Sequence, residues 1–419
     1  MLRLALLAVS VTLAVAEADR RAASPLWPGF DPRATPLAVF DGERTWLFRH
    51  PHPPAGFVRE GQGWVMAGRH PALTANTSFE LAGALTAGVL LDGKAEVETT
   101  ALAGTLIHEA FHAFQRQRHR DWDADEGALF SYPAGDGALL GWRRLESLAL
   151  QRALGESDGA AWARAALLAR RERFARLPPE AVAYERKTEL KEGLAQFVED
   201  QATGRPPSSR WPAGEFAPDG IRWRGYASGQ ALAVLLERFD KGWQSAIETQ
   251  GGTLDERLAA ALGEGATADL APHRAAVIEA AERDASALRA SKEARRRAFL
   301  DAPGTRLEVE AAAGAPLFPH GFDPLNVVAF PDGAVLHTRF LKLGNAAGTV
   351  EVLGRAALTE AAGRHPLFEG VRRLRLTGLS AMPSVQESAG TVRVEAEGLK
   401  LELRGARVVR SPEGLRIEL

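Results

Sequence analysis

Two periodicities divide the chain. From about residue 99 to 300, apolar residues recur at helical spacing among Ala, Leu, Glu and Arg. Residues 138–154 (ALLGWRRLESLALQRAL) predict one helix, and 160–177 a second, ended by Pro178-Pro179. Residues 179–201 predict a third, with Pro179 in its first turn, where a missing N–H costs nothing. GQALAVLLERF and LDERLAAAL continue the pattern, and a charged helix over roughly 273–300 closes it. Beyond about 305 the period becomes two. Leu399, Leu401 and Leu403 alternate with Lys400, Glu402 and Arg404, and Val392 and Val394 with Arg393 and Glu395. Short alternating runs bounded by glycine predict antiparallel strands with one wet face. Ahead of the helices, 27–92 is strand-rich: two apolar runs flank Asp41-Gly42, a hairpin turn, and LTAGVLL (85–91) is a further extended run. The predicted class is α+β, a mostly helical domain with a small N-terminal β-sheet followed by a C-terminal antiparallel β domain. The break is placed at Ala302-Pro303-Gly304.

The first residues stand apart. Arg3 precedes an apolar run from Leu4 to Val15, and Ala14-Val15-Ala16 is a small-x-small pattern followed by charge. This reads as a secretory signal peptide over 1–16. The run falls short of the roughly 20 apolar residues a comfortable membrane span needs. The reading predicts a secreted or periplasmic protein, with no stable membrane insertion after cleavage. The remaining organisation is then a catalytic or binding domain over 17–300 and a β-rich domain over 305–419.

Composition narrows the chemistry. The 419 residues carry a formal net charge of -2, with 25% charged residues, which gives no sign of a nucleic-acid binder. There are no cysteines, so disulfides and thiolate ligands are excluded, and any metal must be held by His, Asp and Glu.

Residues 106–115 read LIHEAFHAFQ. On a helix His108 and His112 share one face, a turn apart, and at about 100° per residue Glu109 lies within the same third of the circumference. Two imidazoles at this spacing reach one ion, and the glutamate between them is free to take a proton from water. Leu106, Ile107, Ala110, Phe111, Ala113 and Phe114 make the helix apolar nearly all round, hence buried. A buried glutamate beside two buried histidines needs charge compensation, which a dication supplies. Thr99 and Thr100 are the N-cap candidates. A third ligand is required, and Glu146, Glu185, Glu189, Glu192 and Glu199 are the helical carboxylates downstream. Periodicity does not choose among them. It sets Glu192 across from the stripe Leu190, Leu194, Phe197 and Val198, although its neighbours Gly193 and Ala195 are small enough for close helix approach.

HEAFHAFQ followed by Glu192-Gly193-Leu194-Ala195-Gln196-Phe197 resembles the gluzincin group of zinc metallopeptidases, the thermolysin and aminopeptidase-N type. The motifs cover about 20 residues, with weaker similarity over 27–300. The resemblance implies a zincin-like domain over 17–300, one Zn2+ per chain held by His108, His112 and Glu192, and Glu109 as general base. It also implies that Tyr226, in RWRGYASGQ, donates to the oxyanion, and that an extended peptide pairs with an edge strand at 85–91, a run that reads equally as an internal strand of the sheet. The sequence departs from the group in three places. Lys191 stands where many members have Asn, and Gln196 where a carboxylate often orients a ligand histidine. The 80 positions between His112 and Glu192 imply two inserted helices, 138–177, which would roof or narrow the cleft and which leave Glu146 as a rival ligand. The Arg170, Arg171, Arg173 and Arg176 cluster reads as a solvated helix face.

The expected function is an exported zinc-dependent metallopeptidase acting on a peptide or protein substrate. The alternative is an exported binding or envelope module whose HExxH site is only structural and whose C-terminal β domain carries the function. Cleavage specificity and oligomeric state are not legible in the sequence.

Overall fold

The computed structural model describes residues 2–91, 98–157, 159–324 and 326–419; the side chains of 2–10, Arg3 of the predicted leader among them, lie outside the described residues. The class is α+β. The chain forms two compact units, one of Met1–Ala124, Ala138–Arg176 and Val182–Ala280, the other of Asp125–Gly137, Leu177–Ala181 and Ala281–Leu419.

The first unit opens with helix α1 (Leu2–Arg21) and a six-stranded sheet of β1 (Leu37–Phe40), β2 (Arg44–Phe48), β3 (Val58–Glu60), β4 (Gly63–Ala67), β5 (Thr77–Leu81) and β6 (Ala84–Leu90). Strand order is β3-β4-β2-β1-β6-β5. The predicted hairpin is β1–β2, its turn fixed by Asp41, whose Oδ1 accepts from the backbone N–H groups of Glu43 and Arg44. β1 is buried on both faces: Leu37 and Val39 enter the main core, while Ala38 and Phe40 join a smaller cluster with Leu47 and Leu73 on the other side. β6 is not an edge. It pairs in parallel with β1 and antiparallel with β5, which is the terminal strand. Of the two placements open for 85–91 the internal one holds, and the edge strand expected beside the helix is β5.

Helix α2 (Thr99–Arg118) carries HEAFH and packs against β5, β6 and α1. Its N-cap is Glu98 rather than a threonine: the carboxylate accepts from the N–H groups of Thr100 and Ala101, placing negative charge at the positive end of the helix. α1 runs unbroken through Ala16, and Val11, Ala14, Val15 and Ala18 are buried in the main core. Among the described side chains its polar ties lie beyond Ala16, where Asp19 accepts from Arg49 (2.6 Å) and Arg21 donates to the carbonyl of Ala202 (2.6 Å). Among the described residues, no helix is long and apolar enough to cross a membrane.

Helices α3 (Ala128–Ser131), α4 (Gly137–Gly155), α5 (Ala160–Phe174) and α6 (Pro179–Thr188) follow. The predicted helix 179–201 is interrupted: α6 passes into a π turn at Glu189–Gly193 before α7 (Leu194–Thr203). Helices α8 (Ile221–Phe239), α9 (Trp243–Gln250), α10 (Leu254–Leu262) and α11 (Ala271–Leu300) complete the helical part, and the two units divide within α11.

The second unit contains β7 (Thr305–Glu310), β8 (Phe318–Phe322), β9 (Val327–Ala329), β10 (Val335–His337), β11 (Phe340–Asn345), β12 (Gly348–Leu353), β13 (Ala357–Ala361), β14 (Val371–Leu379), β15 (Ser384–Ser388), β16 (Thr391–Ala396), β17 (Leu399–Arg404), β18 (Arg407–Ser411) and β19 (Gly414–Glu418). They form two sheets, β18-β19-β7-β14-β13-β10-β9 and β15-β16-β17-β12-β11-β8. Pairing is antiparallel except between β7 and β19, which run parallel. The alternation at 392–404 does what it predicts: Val392, Val394, Leu399, Leu401 and Leu403 point into a core shared by both sheets, and Lys400, Glu402 and Arg404 stay exposed.

Candidate metal centre

The site is assembled by α2, the π turn and α8, all within the first unit. His108 and His112 lie one turn apart on α2 with ring centroids 4.7 Å apart. Glu192 comes from the π turn, and its Oε2 is 3.1 Å from His112 Nε2 and 3.9 Å from His108 Nε2. One ligand atom from each of the three residues lies within 4.8 Å of the others, so the group could hold a metal ion. Backbone winding decides this. A regular α-helix sets Glu192 opposite Leu190 and Leu194, whereas π winding turns the carboxylate toward α2. π turns recur at functional sites for this reason.

Each imidazole is held at its other nitrogen. His108 Nδ1 faces Glu199 Oε2 at 3.1 Å. A carboxylate only accepts, so Nδ1 carries the proton. His112 Nδ1 faces Gln115 Oε1 at 2.8 Å. That amide is oriented by its own NH2 group, which donates to the carbonyls of Leu190 (3.1 Å) and Lys191 (2.9 Å) in the π turn. With a proton fixed on each Nδ1, Nε2 is the nitrogen that faces Glu192, and loss of its own proton gives the tautomer a metal requires. Gln196, at the position where a carboxylate often orients a ligand histidine, donates instead to Glu199 Oε2 (3.0 Å). The orienting groups are Glu199 and Gln115. Gln115 was findable three positions after His112. Glu199 had only its two-turn offset from Glu192 to mark it.

The remaining carboxylate candidates are excluded by their partners. Glu146 is buried between Arg170, Arg173 and Arg224; Glu185 pairs with Arg173, and Glu189 with Arg170 and the Ser228 hydroxyl (2.6 Å). These guanidiniums hold the Glu146 and Glu185 carboxyls below the ordinary range against the opposing effect of burial. One sequence expectation falls with this network: Arg170 and Arg173 are buried, not a solvated face. The inserted helices α4 and α5 turn these charged residues on α6, the π turn and α8, and so brace that turn.

Electrostatics fit a missing positive charge. Burial pulls His108 down, but hydrogen bonds with Glu192 and Glu199 outweigh it and push it up to about 10. Burial would raise Glu192, yet the His112 charge and the two histidine hydrogen bonds hold it far below the carboxylate range. Glu199, likewise buried, is lowered to about 2 by His108 and Arg210. Protein groups stand in for a cation, and metal binding would displace the His108 proton. Glu109 is buried, its Oε2 has no hydrogen-bond partner, and burial raises its carboxyl above the ordinary value despite the nearby histidines. Such an orphan costs about 1–3 kcal/mol. A His2Glu donor set with an unpaired carboxylate beside it fits a catalytic dication better than a closed structural site.

Tyr226 on α8 stacks on His108 with ring centroids 6.2 Å apart. Burial and the charge of Glu192 raise its hydroxyl above the usual tyrosine value, so it stays a proton donor. Arg222, one turn earlier, donates to Glu192 Oε1 at 2.9 Å and was not singled out by the sequence. Comparison of the chain with protein-family models, with curated proteins and with solved structures finds no match in any of the three.

Proposed function

We propose that this chain is an exported zinc-dependent metallopeptidase of the gluzincin type. His108, His112 and Glu192 hold one Zn2+, Glu109 is the general base, and Tyr226 donates to the oxyanion. The observation that carries the reading is the pairing of an oriented His2Glu triad with the orphaned Glu109 oxygen. When bound, zinc supplies Lewis acidity at the scissile carbonyl and brings water ionisation near neutral pH. Glu109, with one oxygen unengaged, takes the proton from the attacking water and returns it to the leaving amine. The Tyr226 hydroxyl donates to the oxygen on which charge develops. A peptide adding to the sheet beside α2 meets β5, where Arg116 of α2 already donates to the Ser78 carbonyl (2.8 Å). Export rests on the apolar leader, and the described polar ties of α1, at Asp19 and Arg21, would survive cleavage after Ala16.

A purely structural site would have no use for Glu109, and a leucine there would be cheaper than an orphaned carboxylate. The test is metal analysis with peptide hydrolysis. Purified protein should carry about one zinc per chain, as a single three-ligand site implies. Glu109→Gln should keep the metal and lose hydrolysis. A gently purified protein without metal sinks the reading. A fully loaded protein that cleaves nothing in a broad peptide screen turns it toward the binding module.

A further inference from the structure

The two oxygens of Glu192 do different things. Oε2 enters the triangle with His108 and His112 Nε2, while Oε1 is turned away to Arg222 Nη2 at 2.9 Å. Arg222 and Tyr226 share one face of α8, and the Tyr226 hydroxyl interacts with both Glu192 and Arg222. Arg222 is 29% exposed at its side chain, so it is neither part of the sealed Arg170–Arg173–Arg224 network nor fully solvated. Glu192 itself is buried, so the rotation of its carboxylate is set by what holds Oε1.

That rotation decides coordination. A carboxylate bound through one oxygen leaves a fourth position of a tetrahedral site open; bound through both, it fills that position itself. The π turn brings Glu192 to the site, but the carboxylate plane can still turn about its last bond. The guanidinium removes that freedom, because an oxygen donated to at 2.9 Å is directed away from His108 and His112, where an ion would be held.

We propose that Arg222 is a positioning residue: it commits Glu192 to ligation through Oε2 alone and thereby keeps one coordination position open for the reaction. This rests on the metal-site reading above. A simple charge argument predicts the opposite affinity effect, which makes the proposal testable. Removing a cation near a dication should by itself tighten metal binding, whereas loss of a group that orients a ligand weakens it by about 10–100-fold.

The experiment uses the full chain as wild type, Arg222→Met, which keeps the aliphatic packing, and Arg222→Lys, which keeps the charge and one donor. Zinc affinity is read by competition with a chromophoric chelator, and ligand geometry by the visible spectrum of the Co2+-substituted protein. The expected result is about 10–100-fold weaker zinc binding in Arg222→Met, with the Co2+ bands shifted as the second carboxylate oxygen takes the fourth position. Arg222→Lys should restore most of both, and thermal stability without metal should stay close to wild type. Unchanged or tighter zinc binding with an unchanged Co2+ spectrum in Arg222→Met overturns the proposal, also when KM alone rises, since Arg222 would then face substrate. Loss of metal-free stability with full zinc affinity overturns it too, leaving only a packing role. A wild-type chain that binds no zinc removes the metal-site reading itself, a distinct outcome.

Discussion

Glu199 would act on the proposed metal site without itself ligating. It accepts from His108 Nδ1 while Arg205 (3.3 Å) and Arg210 (2.9 Å) hold its other oxygen. Glu199→Ala should free the His108 ring and weaken zinc binding by about 10–100-fold in chelator competition. The Gln115–His112 contact should survive, so the loss should stay partial; zinc affinity equal to wild type would deny Glu199 its orienting role. At this scale the sequence was legible where chemistry is contiguous. His108, Glu109 and His112 sit in five consecutive positions, and helical spacing alone puts them together. Glu192 was reachable only through resemblance, because α-helical periodicity pointed it the wrong way. Arg222 had no local signal: its meaning comes from an acceptor 30 positions earlier on another element.

The π turn owes its position to a contact between two glycines. A Cβ at Gly193 would lie 2.5 Å from Gly229 Cα, and one at Gly229 would lie 2.6 Å from the Glu189 carbonyl oxygen. Backbone meets backbone here, so no side chain can swing aside. Helix propensity says Gly→Ala stabilises by about 1 kcal/mol. The contact says otherwise: Gly193→Ala should cost about 1–3 kcal/mol through overpacking, lower Tm and weaken zinc binding together, because α8 and the turn carry Tyr226, Arg222 and Glu192. A higher Tm with intact zinc binding would mean that the crossing is looser than this. Long helices were readable because their period repeats, and the small residue after Glu192 did point to close approach. The sequence left β6 open between edge and interior, since its parallel partner β1 lies some 50 positions earlier and a run of apolar residues looks the same at an edge. The burial of Arg170 and Arg173 was hidden too, because three of the carboxylates that neutralise them lie on other elements.

On the scale of the whole molecule, the two units should differ in their response to acid. All nine tryptophans lie in the first unit, from Trp27 to Trp243. The second unit buries His337 on β10, where Nε2 lies 3.3 Å from Thr359 Oγ1. That hydroxyl donates to the Val335 carbonyl (3.2 Å), so it accepts from His337, and Nδ1 is left as a bare lone pair without a partner. Burial lowers this histidine from 6.5 to about 4. The unfolded chain therefore takes up a proton in the interval from 6.5 to about 4 that the folded unit refuses. Stability from this group is fully present above the unfolded value and is lost as pH falls, by about 2 kcal/mol near pH 5 and about 3 kcal/mol below pH 4. Urea unfolding followed by far-UV dichroism should show the β unit weakening over that interval. Tryptophan fluorescence, which reports the first unit, gives the internal reference. His337→Leu leaves the Thr359–Val335 bond in place and removes the titrating group, so the difference between wild type and variant isolates the histidine from the many carboxylates that titrate nearby. Parallel pH profiles for the two proteins would show that the second unit accepts a charge at this position, and would undo the argument from burial.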